Sequence, residues 1–304
     1  MNNFIKATEI WEPNYEKTEL SLVSGLYGSK RKFQDYSEKI VFKYNEGLPG
    51  KAWAKQHPIV LSSLKDSYFK RTDEALKTNI TAAIAMPIFS GEYLTAVVVF
   101  LCSDINDSHG AIELWGKNPE RSYEMGLIDG YYGKMDNFAW ISKSIKIMRG
   151  QGLPGTVWST SMTFIIKDLG ESATFLRASK AKKEGLTTAI AIPSWINEED
   201  GYVMTFLSAK DTPLANRFEV WIPDETAEAL VFRDGISSDG IDLKENYKLT
   251  RLDKQNSIAG KAWKTGRPVL GDKFHGEKEL IADAFLALPI IQNGFCTSVV
   301  MFYF

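Results

Sequence analysis

The chain has 304 residues, 44% of them hydrophobic and 12% aromatic, with a formal net charge of −2. That composition can fill two or three sizeable cores and excludes a disordered chain. The balanced charge argues against a phosphate-backbone partner, which needs a clustered basic surface, and no run of about 18 apolar residues offers a membrane-spanning helix.

In chain order, Thr8 to Trp11 reads as a short strand ended by Pro13. Glu19 to Tyr27 is a strand whose Gly25 and Gly28 mark a turn or bulge, and Glu38 to Tyr44 alternates as a third strand. Gly47-Leu48-Pro49-Gly50 breaks the chain, and Lys51 to Gln56 is a short helix that starts after the break. Ile59 to Ser62 is a strand, and Thr72 to Thr78 a short helix with Thr72 as N-cap and Asp73 and Glu74 in its first turn. Ala82 to Phe89 and Tyr93 to Leu101 form a hairpin around Ser90-Gly91. The last strand is apolar on both faces and therefore needs cover on both.

These elements recur. Gly47-Leu48-Pro49-Gly50-Lys51-Ala52-Trp53 returns 105 residues later as Gly152-Leu153-Pro154-Gly155-Thr156-Val157-Trp158. It returns again, weakened, as Ser257-Ile258-Ala259-Gly260-Lys261-Ala262-Trp263. Glu9-Ile10-Trp11 reappears as Glu113-Leu114-Trp115 and Glu219-Val220-Trp221, and Gly25 as Gly130 and Gly235. Pro87, Pro193 and Pro289 anchor the hairpins, and the closing strands end near Phe100, Phe206 and Phe302. Anchors kept in order three times define three repeats, 7–102, 111–208 and 217–304, and so three units, 1–105, 106–210 and 211–304. The third is shortened between Trp263 and Pro289. Short polar linkers, Ser103 to Gly110 and Ser208 to Asn216, join them.

Three strands, a glycine-proline break with a Trp beyond it, a middle helix and a Pro-containing hairpin resemble the GAF sensory domain. The residues that carry the likeness are GLPGKAW with Pro58-Ile59-Val60, Phe69-Lys70-Arg71 and Ala83 to Pro87, then GLPGTVW, Phe175-Leu176-Arg177 and Thr188 to Pro193. Unit three keeps the first and last pieces without a Phe-x-Arg. The resemblance implies an α+β fold, a profilin-like antiparallel sheet with a small-molecule pocket on one face under the middle helices. It also implies signalling and, often, dimerisation. One departure matters: about nine residues join the units, too few for the long flanking helices that usually cover the opposite sheet face. Left bare, that face would expose several hundred Å² of apolar surface per unit. Covering even about 400 Å² is worth on the order of 10 kcal/mol as an upper value. The expectation is a close interface between units, with at least one face left over for a second chain and hence a homodimer.

Little in the chain speaks for catalysis. Gly150, Gly152 and Gly155 match a dinucleotide loop literally, but Pro154 interrupts it and the following helix is short. His57, His109 and His275 lie in loops or at the surface at no metal-ligand spacing, and no nucleophile elbow or phosphate loop occurs. The cyclic-nucleotide pattern of some GAF relatives is not evident. Cys102 and Cys296 lie in strands of different units and match neither a sulfoxide-reductase thiol set nor a bilin-attachment site, so they read as core thiols of a reducing compartment, the cytoplasm. The N-terminus has no signal-peptide pattern. No cofactor or metal is implied, and neither nucleic acid nor membrane is expected as a partner. Trp53, Trp158 and Trp263 either stack on a ligand or pin the short helix to the sheet, and the retention of Trp263 in the weakest copy favours the second. Phe69 with Arg71, and Phe175 with Arg177, are the ligand-binding candidates of units one and two, since a guanidinium at the start of the middle helix suits an anion; a structural arginine is the competing reading. Tyr27, Tyr131 and Tyr132 read as packing around the glycine turn. The expected function is therefore a non-catalytic sensory or regulatory protein that binds a small ligand, with anions as the suited class, and signals by protein contacts. The alternative is a ligand-free interaction scaffold, and the third reading an enzyme of the free-methionine sulfoxide reductase kind.

Overall fold

The computed structural model of the chain describes residues 4–105, 108–118, 120–194, 201–275 and 281–304. Unit one runs β1 (Ile5–Pro13), β2 (Glu19–Leu26), α1 (Arg31–Ser37), β3 (Val41–Lys43), α2 (Gly47–Lys55), β4 (Ile59–Leu61), α3 (Thr72–Lys77), β5 (Ala82–Ser90) and β6 (Tyr93–Cys102). Its six strands form one antiparallel sheet in the order β3-β2-β1-β6-β5-β4. Unit two repeats this with β7 (Gly110–Asn118), β8 (Arg121–Tyr131), α4 (Asp136–Ser144), β9 (Lys146–Met148), α5 (Gly152–Thr160), β10 (Phe164–Ile166), α6 (Ala178–Lys183), β11 (Leu186–Pro193) and β12 (Val203–Ala209). Unit three has β13 (Arg217–Pro223), β14 (Ala229–Ser237), α7 (Lys244–Tyr247), β15 (Arg251–Asp253), α8 (Ile258–Thr265), β16 (Val269–His275), β17 (Ile281–Gln292) and β18 (Phe295–Tyr303). All three sheets keep one strand order. Among the described residues, no helix is long and apolar enough to cross a membrane.

One element is added to the sequence reading and one local expectation is corrected. Residues 31–37 form a helix, α1, where the sequence offers neither cap nor clear periodicity; only Phe33 and Ser37 are buried. The glycine-proline motif does not precede α2 but opens it, with Gly47 as the first residue and Pro49 in the first turn. Proline fits there because the first-turn amides have no intrahelical acceptor to lose. The glycine kept in all three copies has a steric cause: a Cβ on Gly50, Gly155 or Gly260 would sit 2.1, 2.2 or 1.9 Å from the carbonyl oxygen of Lys43, Met148 or Asp253. The helix thus lies directly on the end of the preceding strand.

The apolar closing strands alternate with period two. Ala96, Val98, Phe100 and Cys102 of β6 join a core shared by the whole chain, whereas Val97, Val99 and Leu101 face the unit's own helices. Met204 and Phe206, and Val300 and Phe302, enter the same shared core from the other units. At its middle Phe100, Phe206 and Phe302 meet with ring centroids 5.4 to 5.9 Å apart. The three sheets thus cover one another's open faces, as the missing flanking helices require. The expectation that one sheet face is left bare is corrected, because three faces meeting in one core cover one another without pairing off.

The seams repeat cyclically. Strand β4 packs on β8, β10 on β14, and β16 back on β2. The first seam stacks His57 on Tyr202 and joins Thr81 to the Tyr131 hydroxyl. The second holds Lys167 between Asp234 and Asp242, and the third pairs Arg267 with Glu12.

Candidate functional site

The expected pocket lies between each sheet and its own helices. In unit one, Glu9 and Trp11 on β1 sit on that side, and the Trp11 indole donates to Glu9 Oε2 at 2.9 Å. Tyr27, at the end of β2, folds over Gly25 and donates to Glu9 Oε1 at 2.9 Å. A Cβ at Gly25 would come within 2.3 Å of that tyrosine ring, so the glycine makes room for it. Arg71 precedes α3 and meets Glu9 as a bidentate pair, Nη1 to Oε1 at 2.5 Å and Nη2 to Oε2 at 2.8 Å. Nη1 also reaches Ser37 Oγ at 2.6 Å, which Ser37 owes to its place at the end of α1; Nε is left without a hydrogen bond. The guanidinium carbon lies 5.0 to 5.8 Å from the ring centres of Phe33, Phe69, Trp11 and Phe42. Both charged side chains are fully buried.

Unit two builds the same arrangement. Glu113 accepts from Trp115, Tyr132, Thr205 and both Nη atoms of Arg177. Arg177 also donates to Ser142, and its guanidinium lies among Trp115, Phe138 and Phe175. Burial would push the Glu113 carboxyl up, but the charge and hydrogen bonds of Arg177, with those of Thr205 and Trp115, outweigh it and hold the group below its ordinary value. Burial, and then the neighbouring Glu113 charge, push the Tyr132 phenol far up, so it remains a donor.

Arg71 and Arg177 therefore stand where expected, beside Phe69 and Phe175, but an anion already occupies each guanidinium and belongs to the chain. An incoming anion would have to compete with a buried carboxylate for the two Nη atoms of each guanidinium. Trp53 is partly buried and makes its ring contact with Tyr44, 5.2 Å away. Trp158 is buried, and Trp263 carries Lys254 over its ring at 4.2 Å. Tyr131 does not join its unit's cluster but faces the shared core beside Phe4. Cys102 is buried in that core, and burial raises Cys296 to about 12, which leaves both thiols poor nucleophiles. His57 is half-buried at a seam, His109 binds Thr212 through its backbone, and His275 ends β16 with its side chain outside the described residues.

Sequence reasoning missed Glu9, Glu113 and Glu219. The signal was present: a carboxylate two residues before a Trp, inside an apolar strand, in every copy. Unit three answers it with Arg217 and with the Tyr303 hydroxyl at 3.2 Å.

No protein-family model and no curated protein matches the chain. Among solved structures, it is similar to the GAF domain of a phosphoenolpyruvate-protein phosphotransferase from Coxiella burnetii, at 18% identity, covering 32% of this chain and 56% of that one, with a TM-score of 0.28. It is also similar to Staphylococcus aureus NreA mutated in its nitrate-binding site, at 23% identity, 36% and 79% coverage and a TM-score of 0.29. Free methionine-R-sulfoxide reductase from Neisseria meningitidis matches at 16% identity, 32% and 52% coverage and a TM-score of 0.26. The chain spans little more than half the length of the first and third of these, and each likeness covers about one unit. With one strand order repeated three times and short helices over one face of each sheet, the chain is a tandem of three repeats of one α+β unit.

Proposed function

We propose that this chain is a non-catalytic regulatory protein that acts through contacts with other proteins, a closed ring of three units whose helix-side pockets are filled by its own side chains. The observation that supports this is the buried pair of each complete unit, Glu9 with Arg71 and Glu113 with Arg177. A ligand anion taking the guanidinium would strand a carboxylate away from water, at a penalty of roughly several kcal/mol. The ligand-free scaffold is thus favoured over an anion sensor working through these arginines. Two unpaired cysteines suit a reducing compartment, which we take to be the cytoplasm.

Native mass spectrometry of freshly purified protein, with melting curves in nitrate, the anion named for the NreA neighbour, tests the reading. The bare polypeptide mass and an unchanged Tm are expected. A retained small molecule lost on Arg71→Met or Arg177→Met would overturn it. Turnover of free methionine-R-sulfoxide that disappears with Cys102→Ala or Cys296→Ala would overturn the non-catalytic part.

A further inference from the structure

Outside the filled pocket of unit two, α4 and α6 leave a groove of about 370 Å³ between them. That falls within the range of about 300–1,000 Å³ usual for small-molecule sites. Asn137, Phe138, Trp140 and Ile141 of α4 line it on one side, and Lys180 and Lys183 of α6 with its C-cap residue Glu184 on the other, so that two ammonium groups outnumber one carboxylate. Trp140 is 71% exposed, unusual for a tryptophan in a chain that buries Trp11, Trp115, Trp158 and Trp221. Neither lysine is in an ion pair among the described residues, whereas the neighbouring Lys182 is bound to Glu171.

We propose that this groove binds a small planar aromatic anion, stacked on the Trp140 indole and neutralised by Lys180 and Lys183. The sister unit shows that the fold does not impose these residues. The position of Trp140 in unit one is Asp35, and that of Lys180 is Glu74, while Lys77, matching Lys183, is paired with Glu74 at 2.6 Å. On the same scaffold, unit one thus carries carboxylates where unit two has the indole and one of the two lysines. Lysines in the last turn of α6 do complement its helix dipole, but that leaves the exposed indole unexplained. Stacking on an indole accepts any flat ring, and two ammonium groups select among flat rings for negative charge. The site is separate from the Glu113–Arg177 pair, so it goes beyond the scaffold reading and can fail without it.

Titration calorimetry on the full chain tests the proposal, with indole-3-acetate as probe, indole-3-carbinol as its neutral counterpart and acetate as the ring-free one. Indole-3-acetate is expected to bind more tightly than either. Trp140→Ala should weaken it by about tenfold, the loss of one stacking partner. Lys180→Gln with Lys183→Gln should abolish the preference for the acid over the alcohol. All three positions are exposed, and an unchanged Tm in each variant will show that the fold is intact. No binding of indole-3-acetate at millimolar concentration overturns the proposal. So does binding that survives Trp140→Ala, or equal binding of acid and alcohol by the unaltered chain.

Discussion

Units one and two hold their buried carboxylate with an arginine more than 60 residues away, while unit three holds Glu219 with Arg217, two positions earlier on the same strand. The phenol moves likewise: Tyr27 and Tyr132 follow the glycine of the second strand, but in unit three the hydroxyl comes from Tyr303 on the last strand. The glutamate and its tryptophan stay fixed while the cation and the phenol are interchangeable. A ligand site would be expected to lose its parts together. A buried charge can lose its original partner only if another is supplied, which is what unit three shows.

The largest effect should come from stranding that charge. Arg177→Met is expected to cost about 3–5 kcal/mol in urea unfolding, with Glu113→Gln in the same chain recovering much of it. Arg217→Met should cost less, because the Arg217 side chain keeps 10% exposure against 2% for Arg177. Equal costs would break the contrast between the units. Tyr132→Phe removes a hydrogen bond to a buried carboxylate and should cost about 1.5–3 kcal/mol; Tyr303→Phe, with its longer bond, should fall nearer 1 kcal/mol.

Acid sharpens the comparison. The folded Glu113 carboxyl lies below its ordinary value, so its stabilisation is complete above the unfolded value of about 4.3 and is lost as pH falls through the folded one. The urea midpoint should therefore drop steeply below about pH 4.5, and Glu113→Gln should flatten that slope. A slope unchanged by Glu113→Gln would show that other carboxylates carry the acid response. The smallest effect belongs to the helix start. Ser257 caps α8 through its hydroxyl, whereas α2 and α5 have no side-chain cap and begin at a glycine. Ser257→Ala should cost about 1 kcal/mol, read as a small Tm decrease.

The repeat and its sheet were legible because Gly50, Trp11 and Pro87 mark steric and packing requirements local to one element. Helix α1 was not, since seven residues with two buried positions carry too little periodicity to read. The guanidiniums of Arg71 and Arg177 were found by their place beside Phe69 and Phe175, but their partners were not, because an ion pair across 62 or 64 residues leaves no local spacing to detect. The missing Phe-x-Arg of unit three hid Arg217, whose alternation with Glu219 puts both on one face of β13. The expectation of an uncovered sheet face failed for a geometric reason: an odd number of faces can close about a shared core without pairing off.

The return of β16 onto β2 sets a limit on size. In an open array of repeats each end presents a surface that could accept another copy, and dedicated caps are needed to stop growth. Here the third unit occupies the place on the first where a fourth would dock, and the central aromatic triad already takes one ring from each sheet. Copy number is therefore fixed by closure, as in a cyclic oligomer whose protomers have been joined into one polypeptide, and a duplication or deletion of one unit would leave the shared core overfilled or open to water.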